Sequence, residues 1–115
     1  MIILKGTPPS TSAIYKYRYT GKFVQGYMNS AGKDAKLQYQ WEMKSQWKKP
    51  IITDSIKLEI KYYFPNKIRR DIDNFMKIIF DSATGIIWED DCLINELHAY
   101  KYIDKNLPRV ELIIN

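Results

Sequence analysis

"SIKLEIKYYFPNKIRRDIDNFMKIIFDSATG", residues 55 to 85, changes its hydrophobic period midway. Ile56, Leu58, Ile60, Tyr62 and Phe64 alternate with Lys57, Glu59 and Lys61, which puts the apolar set on one face of a half-buried strand from Ser55 to Phe64. Farther on, Ile72, Phe75, Met76, Ile79, Phe80 and Ala83 recur at spacings of three and four, the mark of a helix with one apolar stripe. Asp71 stands where an N-cap belongs and Gly85 where a C-terminal cap belongs.

The flanking segments extend this pattern in both directions. Lys33 to Lys49 holds no Gly or Pro and is rich in helix formers, so length and propensity favour a helix although Leu37, Tyr39, Trp41, Met43 and Trp47 partly alternate. Its wide apolar surface is expected to face both a core and a partner chain. Ile2, Ile3 and Leu4 suggest a first strand, stopped by "GTPPS", and residues 15 to 32, "YKYRYTGKFVQGYMNSAG", read as a long loop or loose hairpin. Leu93 to Tyr102 and Arg109 to Ile114 read as two strands around "DKNLP". The expected architecture is a small α+β domain spanning 1–115, in the order β-α-β-α-β-β, with helices packed on a mixed sheet.

Composition narrows the function classes. A chain of 115 residues, 45% hydrophobic, supports one core and not two. A net charge of +5 and a pI near 9.2 favour an anionic partner. One cysteine, Cys92, and one histidine, His98, supply neither an internal disulfide nor a zinc set. No stretch approaches the roughly 18 apolar residues of a membrane span, so a soluble cytoplasmic protein with no membrane partner and no small-molecule cofactor is expected.

In this basic chain the carboxylates gather at the two ends of the second helix. Taken singly, Asp71 and Asp73 are adequate as helix caps, and Asp73, Lys77 and Asp81 follow one another at four-residue steps, as in a solvated salt-bridge ladder. Taken together they point elsewhere. If the chain beyond Gly85 runs back along the helix, Asp90 or Asp91 of "WEDD" returns to the Asp71 end, and three or four carboxylates converge. Their mutual repulsion would be relieved by a divalent cation, and hard oxygen donors suit Mg²⁺ or Mn²⁺. Lys67, Arg69 and Arg70 beside such a metal would receive a phosphodiester, and Lys77 on the same face as Asp73 would contact the scissile phosphate or orient a water. Lys16, Arg18 and Lys22, interleaved with Tyr15, Tyr17, Tyr19 and Phe23, suit phosphates and unstacked bases, although an aromatic face toward the core or a dimer mate explains the alternation equally.

Residues 69 to 101, "RRDIDNFMKIIFDSATGIIWEDDCLINELHAYK", resemble the signature region of the RusA-type Holliday junction resolvases, which are usually encoded by phages and prophages. The shared features are Arg70-Asp71-x-Asp73-Asn74, Lys77, Asp81, Gly85, Trp88, Asp90-Asp91 and Glu96 through Lys101, in that order. The resemblance implies a homodimeric, Mg²⁺-dependent endonuclease, with Mn²⁺ as a substitute ion, that cuts paired strands of a four-way DNA junction. By position, Asp71, Asp73 and Asp91 match the essential carboxylates, Lys77 the essential lysine, and Asp90 a neighbouring acidic position. Glu89 and Cys92 are departures from the pattern.

Two readings compete with junction resolution: a non-catalytic dimeric DNA-binding protein, and a metal-dependent nuclease acting on flaps, forks or RNA. Carboxylates near phosphates argue against the first. Asn74 is expected either to orient a metal-bound carboxylate or to cap the helix, Trp88 to pack over the helix end, and His98 to be a packed or surface residue. The surface around Trp41, Met43 and Trp47 is expected to be buried in an isologous dimer whose symmetry matches that of a four-way junction.

Overall fold

The computed structural model describes residues 1–115. Two sheets are present. The larger holds β1 (Ile2–Lys5), β4 (Ile56–Phe64), β5 (Ile94–Ile103) and β6 (Arg109–Ile114), in the spatial order β1-β6-β4-β5. It is a mixed sheet, because β4 pairs with β5 in parallel whereas β1 with β6 and β4 with β6 are antiparallel. The smaller sheet is a hairpin of β2 (Tyr15–Thr20) and β3 (Phe23–Met28), preceded by the single turn α1 (Thr11–Ile14).

The alternation in β4 decides which face of the large sheet is covered. Ile56, Leu58, Ile60, Tyr62 and Phe64 are all buried, against Tyr39 and Met43 of α2 (Ser30–Gln46) and Ile78, Ile79 and Ala83 of α3 (Lys77–Ala83). Removing each such aliphatic side chain from water stabilises the fold by about 1.5–3 kcal/mol. On the opposite face Arg109 donates to Glu111 Oε2 at 2.8 Å and Asp104 Oδ2 at 2.7 Å, and lies 3.9 Å over the Tyr63 ring.

The expected α+β class and mixed sheet are observed, and two details differ. The helix expected over 33–49 occupies Ser30–Gln46, because the Asn29 side chain accepts from Gly32 N at 3.0 Å and starts it early, while Pro50 disfavours helical backbone at Lys49. Of the two readings of residues 15–32, the hairpin is the one observed, as a regular ladder over 15–28 closed by Gly21 at φ +63. The second helix is not continuous: Ile72–Phe75 form a 3₁₀ turn, and α-helical bonding begins with Phe80 N to Met76 O at 3.0 Å. The apolar stripe survives because a 3₁₀ turn also keeps residues three apart on one side.

The apolar surface expected around Trp41, Met43 and Trp47 does not exist as one patch. Helical spacing carries Tyr39 and Met43 inward, and Trp47 packs partly against the core. Trp41, 76% exposed, and Leu37 are what remains outside.

Candidate active site

Backbone turns at both ends of α3 place the charged side chains. Its buried face is Ile78, Ile79, Ser82 and Ala83, and Ser82 satisfies its hydroxyl by donating to Ile78 O at 2.6 Å. Lys77 and Asp81 therefore ride the outer edge. After α3, Gly85 takes φ +88, a left-handed conformation that favours glycine, and the chain reverses. Trp88 secures the reversal: it is fully buried, edge-on to Phe80 at 6.1 Å, and accepts from Gly85 N at 2.7 Å. Ile52 N donates to Ile87 O and Glu89 N to Ile52 O, which ties the same turn to the segment before β4. Trp88 thus packs at the helix end, as expected from the sequence.

The acidic run then emerges beside α3. Asp90 accepts from Cys92 N at 3.0 Å, and this bond, with one to Asp91, holds its carboxyl below the usual range. Asp91 goes the other way. Partial burial, the hydrogen bond and charge of Asp90, and the charge of Asp81 raise its carboxyl above the usual range, and only Lys77 opposes them. Asp91 has therefore come back within electrostatic reach of Lys77, the first residue of α3.

Lys77 is held from two sides. Its Nζ lies 3.7 Å from Asp81 Oδ2 and 4.9 Å from the centroid of the Tyr15 ring. The Tyr15 hydroxyl donates to the same Asp81 oxygen, and burial followed by the Asp81 carboxylate shifts the phenol's ionisation upward. Only the Lys77–Asp81 step of the anticipated ladder is formed, and Asp73 lies exposed on the 3₁₀ turn. Asn74 neither caps the helix nor holds a carboxylate: its Oδ1 accepts from Ser12 N at 3.3 Å and its amide lies 3.4 Å from Ser12 Oγ, which ties α1 to the acidic segment.

The cations form a second region. Arg70 stacks 4.6 Å over Phe64 and donates to Asn66 Oδ1 at 3.0 Å. A cavity of about 360 Å³ is bordered by Lys67, Arg69, Arg70, Asp71 and Lys101. Lys101 donates to Arg70 O at 2.6 Å and so fixes the backbone one residue before Asp71. Sequence reasoning gave Lys101 no role, yet it shares the strand parity of Leu97, Ala99 and Ile103, where a charge is out of pattern. Lys16, Arg18 and Lys22 lie on the hairpin, with Arg18 5.0 Å over Tyr27. His98 is an exposed strand residue 3.9 Å from Glu96.

The donors near Lys77, Asp81, Asp90 and Asp91, are oxygen only, and after burial it is the hydrogen bond and charge of Asp90 and the charge of Asp81 that raise the Asp91 carboxyl. This chemistry fits a hard divalent ion. In the side-chain positions described, no three His, Cys, Asp or Glu residues are gathered closely enough to hold one.

A basic α+β scaffold with exposed carboxylates and a lysine between them defines a class of domain suited to phosphate chemistry. Comparison with known families narrows the class: the model of the family described as Endodeoxyribonuclease RusA matches residues 6–115, and the chain belongs to that family. A relative from Aquifex aeolicus (strain VF5), named Crossover junction endodeoxyribonuclease RusA, is 39% identical over 67 residues, which cover 56% of this chain and 52% of the relative. The chain thus spans about half the length of that relative. No helix is long and apolar enough to cross a membrane.

Proposed function

We propose that this protein is a divalent-metal-dependent endodeoxyribonuclease that resolves four-way DNA junctions by paired cuts, serving recombination and repair in the cytoplasm as one RusA-like domain over 1–115. A phage or prophage origin belongs to the same reading and rests on the family resemblance alone. The observation that carries the proposal is the return of Asp91 to within electrostatic reach of Lys77, in a chain of the RusA family. The relative named as a crossover junction endodeoxyribonuclease supports the substrate.

Asp71, Asp73 and Asp91, with Asp90 beside them, would hold Mg²⁺, or Mn²⁺ in its place. Such an ion supplies charge neutralisation to a phosphodiester under attack. The chain's own residues do the remainder. Lys77, positioned by Asp81 and by the Tyr15 ring, brings one ammonium to the non-bridging oxygens of the scissile phosphate, where negative charge grows in the transition state. Lys67, Arg69 and Arg70 border the cavity next to Asp71 and grip flanking phosphates, while Lys16, Arg18 and Lys22 reach the backbone farther out. Binding of this kind falls steeply with salt.

Two cuts on opposed strands call for two sites, and a homodimer supplies them with the symmetry of the junction. Exposed apolar residues at the free edge of β5, Leu97, Tyr100, Tyr102 and Ile103, are consistent with burial against a second copy. The test is cleavage of labelled four-way junction, flap and linear duplex in Mg²⁺ or EDTA. Paired nicks in the junction, in Mg²⁺ only, are expected. Preferential flap cutting would favour the single-site nuclease, and binding without cutting the non-catalytic binder.

A further inference from the structure

The hairpin β2–β3 pairs only with itself, and its two faces differ in chemistry. Tyr15, Tyr17 and Tyr19 share one face with Val24, Gly26 and Met28 across the strand, and Lys16 and Arg18 share the other with Gln25 and Tyr27. Tyr17 is 75% and Tyr19 85% exposed, so neither ring contributes to the core. Gly26 stands directly opposite Tyr17, and a Cβ added there would lie 3.5 Å from a Tyr17 ring carbon. The ring therefore lies against the neighbouring strand at Gly26, at ordinary contact distance from where a Cβ would stand, and most of it is open to solvent. Glycine weakens a strand interior and marks places where something approaches closely.

This face leads to the candidate active site. Tyr15, Tyr17, Gly26, Met28 and Lys77 border one cavity of about 320 Å³. Its inner end is fixed by the Tyr15 hydroxyl on Asp81 and by Lys77 over the Tyr15 ring. Charge decides the occupant. No Asp or Glu precedes Asp34, so the hairpin carries Lys16, Arg18 and Lys22 with no acid among its own residues. Two like-charged hairpins repel one another, whereas an anionic polymer bearing flat apolar groups satisfies both faces together. Within a duplex those groups are stacked on both faces, whereas a pair at the point of strand exchange lacks a stacking neighbour on one side and is the readiest to open.

Resting on the DNA reading above, we propose that Tyr17 and Tyr19 form a stacking platform for a nucleobase that has lost its stacking neighbour at a DNA branch, delivering the adjoining phosphate toward Lys77. The hairpin is then the element that distinguishes branched from linear DNA.

The test is equilibrium binding in EDTA of the full chain to four-way junctions carrying 2-aminopurine at the branch or in mid-arm, with linear duplex alongside. The wild-type protein should quench the branch fluorophore and leave the mid-arm one unchanged. Tyr17→Leu combined with Tyr19→Leu keeps apolar bulk without a ring. It should abolish the quench and reduce junction affinity by about ten- to hundred-fold while duplex affinity holds. Tyr17→Phe should match the wild type. The proposal is overturned by wild-type quenching and junction preference in the double Leu variant. It is equally overturned if that variant turns a sedimenting dimer into a monomer with its branch preference intact, which would assign the face to a second copy. A wild-type protein that binds no DNA, or duplex and junction alike, overturns the DNA reading as well.

Discussion

Tyr15→Phe removes one hydroxyl at the place where the hairpin joins α3. The phenyl ring that supports Lys77 at 4.9 Å remains, as does the Lys77–Asp81 pair at 3.7 Å. What disappears is the hydrogen bond to Asp81, between groups 66 residues apart. Bonds to a charged acceptor contribute about 1.5–3 kcal/mol. The Asp81 side chain is 30% exposed and recovers part of that from water, so a loss of about 1–2 kcal/mol is expected. For a chain of this size the corresponding fall in Tm is about 4–10 °C. Urea unfolding followed by Trp fluorescence reads this as a lower midpoint at constant slope. Asp81→Ala completes a double-mutant cycle: in that background Tyr15→Phe should be nearly silent, because the interaction is already gone. Wild-type stability in the Tyr15→Phe protein, or an equal loss in both backgrounds, would refute the role assigned to the contact.

Three further outcomes follow from the same geometry. Lys77→Met retains helix propensity and gives up a half-exposed ion pair, so stability should change by less than about 0.5 kcal/mol while junction cleavage is lost; surviving cleavage with a falling Tm would leave Lys77 a purely structural partner of Asp81. The Tyr62 hydroxyl is buried with no hydrogen-bond partner, so Tyr62→Phe should leave stability unchanged or raise it by up to about 1 kcal/mol, and a clear drop in the urea midpoint would contradict this. Burial, above all, shifts Tyr15, Tyr39 and Tyr62 upward from 10.0. Above that pH the unfolded chain loses protons that the folded chain keeps, so urea midpoints should be flat between pH ~7 and ~9 and fall beyond ~10; a midpoint that rises there would reverse the sign.

Local patterns were readable from the sequence and distant contacts were not. The period-two alternation in β4 and the glycine at 85 needed only their own neighbours to be interpreted, and both stand as expected. Asn74 was open to two local roles and takes neither, because its partner Ser12 lies 62 residues away. That tie joins α1 to the segment where the expected single helix gives way to a 3₁₀ turn. Residues 15–28 stayed open between a long loop and a loose hairpin because a hairpin whose Tyr17 and Tyr19 face solvent lacks the half-buried alternation that identifies a strand. In α2, the alternation of Tyr39, Trp41 and Met43 masked a helical spacing that sends Trp41 outward and its two neighbours inward. For the candidate site, the return of "WEDD" to α3 needed only the turn at Gly85, whereas the expected convergence of three or four carboxylates is not formed by the side chains as they stand. The Tyr15–Asp81 contact and the grip of Lys101 on the Arg70 carbonyl arise from folding and have no local signal beyond an out-of-pattern charge on β5.

The central claim is that the carboxylates beside Lys77 serve phosphodiester cleavage and are dispensable for folding and for holding DNA. Asp73→Asn tests it most directly, since Asp73 is exposed, makes no ion pair, and is replaced by a side chain of nearly the same shape. Binding and cleavage of one labelled four-way junction should be measured in parallel, binding in EDTA and cleavage in Mg²⁺. The account predicts wild-type melting, junction affinity within a few-fold of wild type, and cleavage reduced by about 10³-fold or more. Cleavage close to wild type would remove Asp73 from the site and contradict the account.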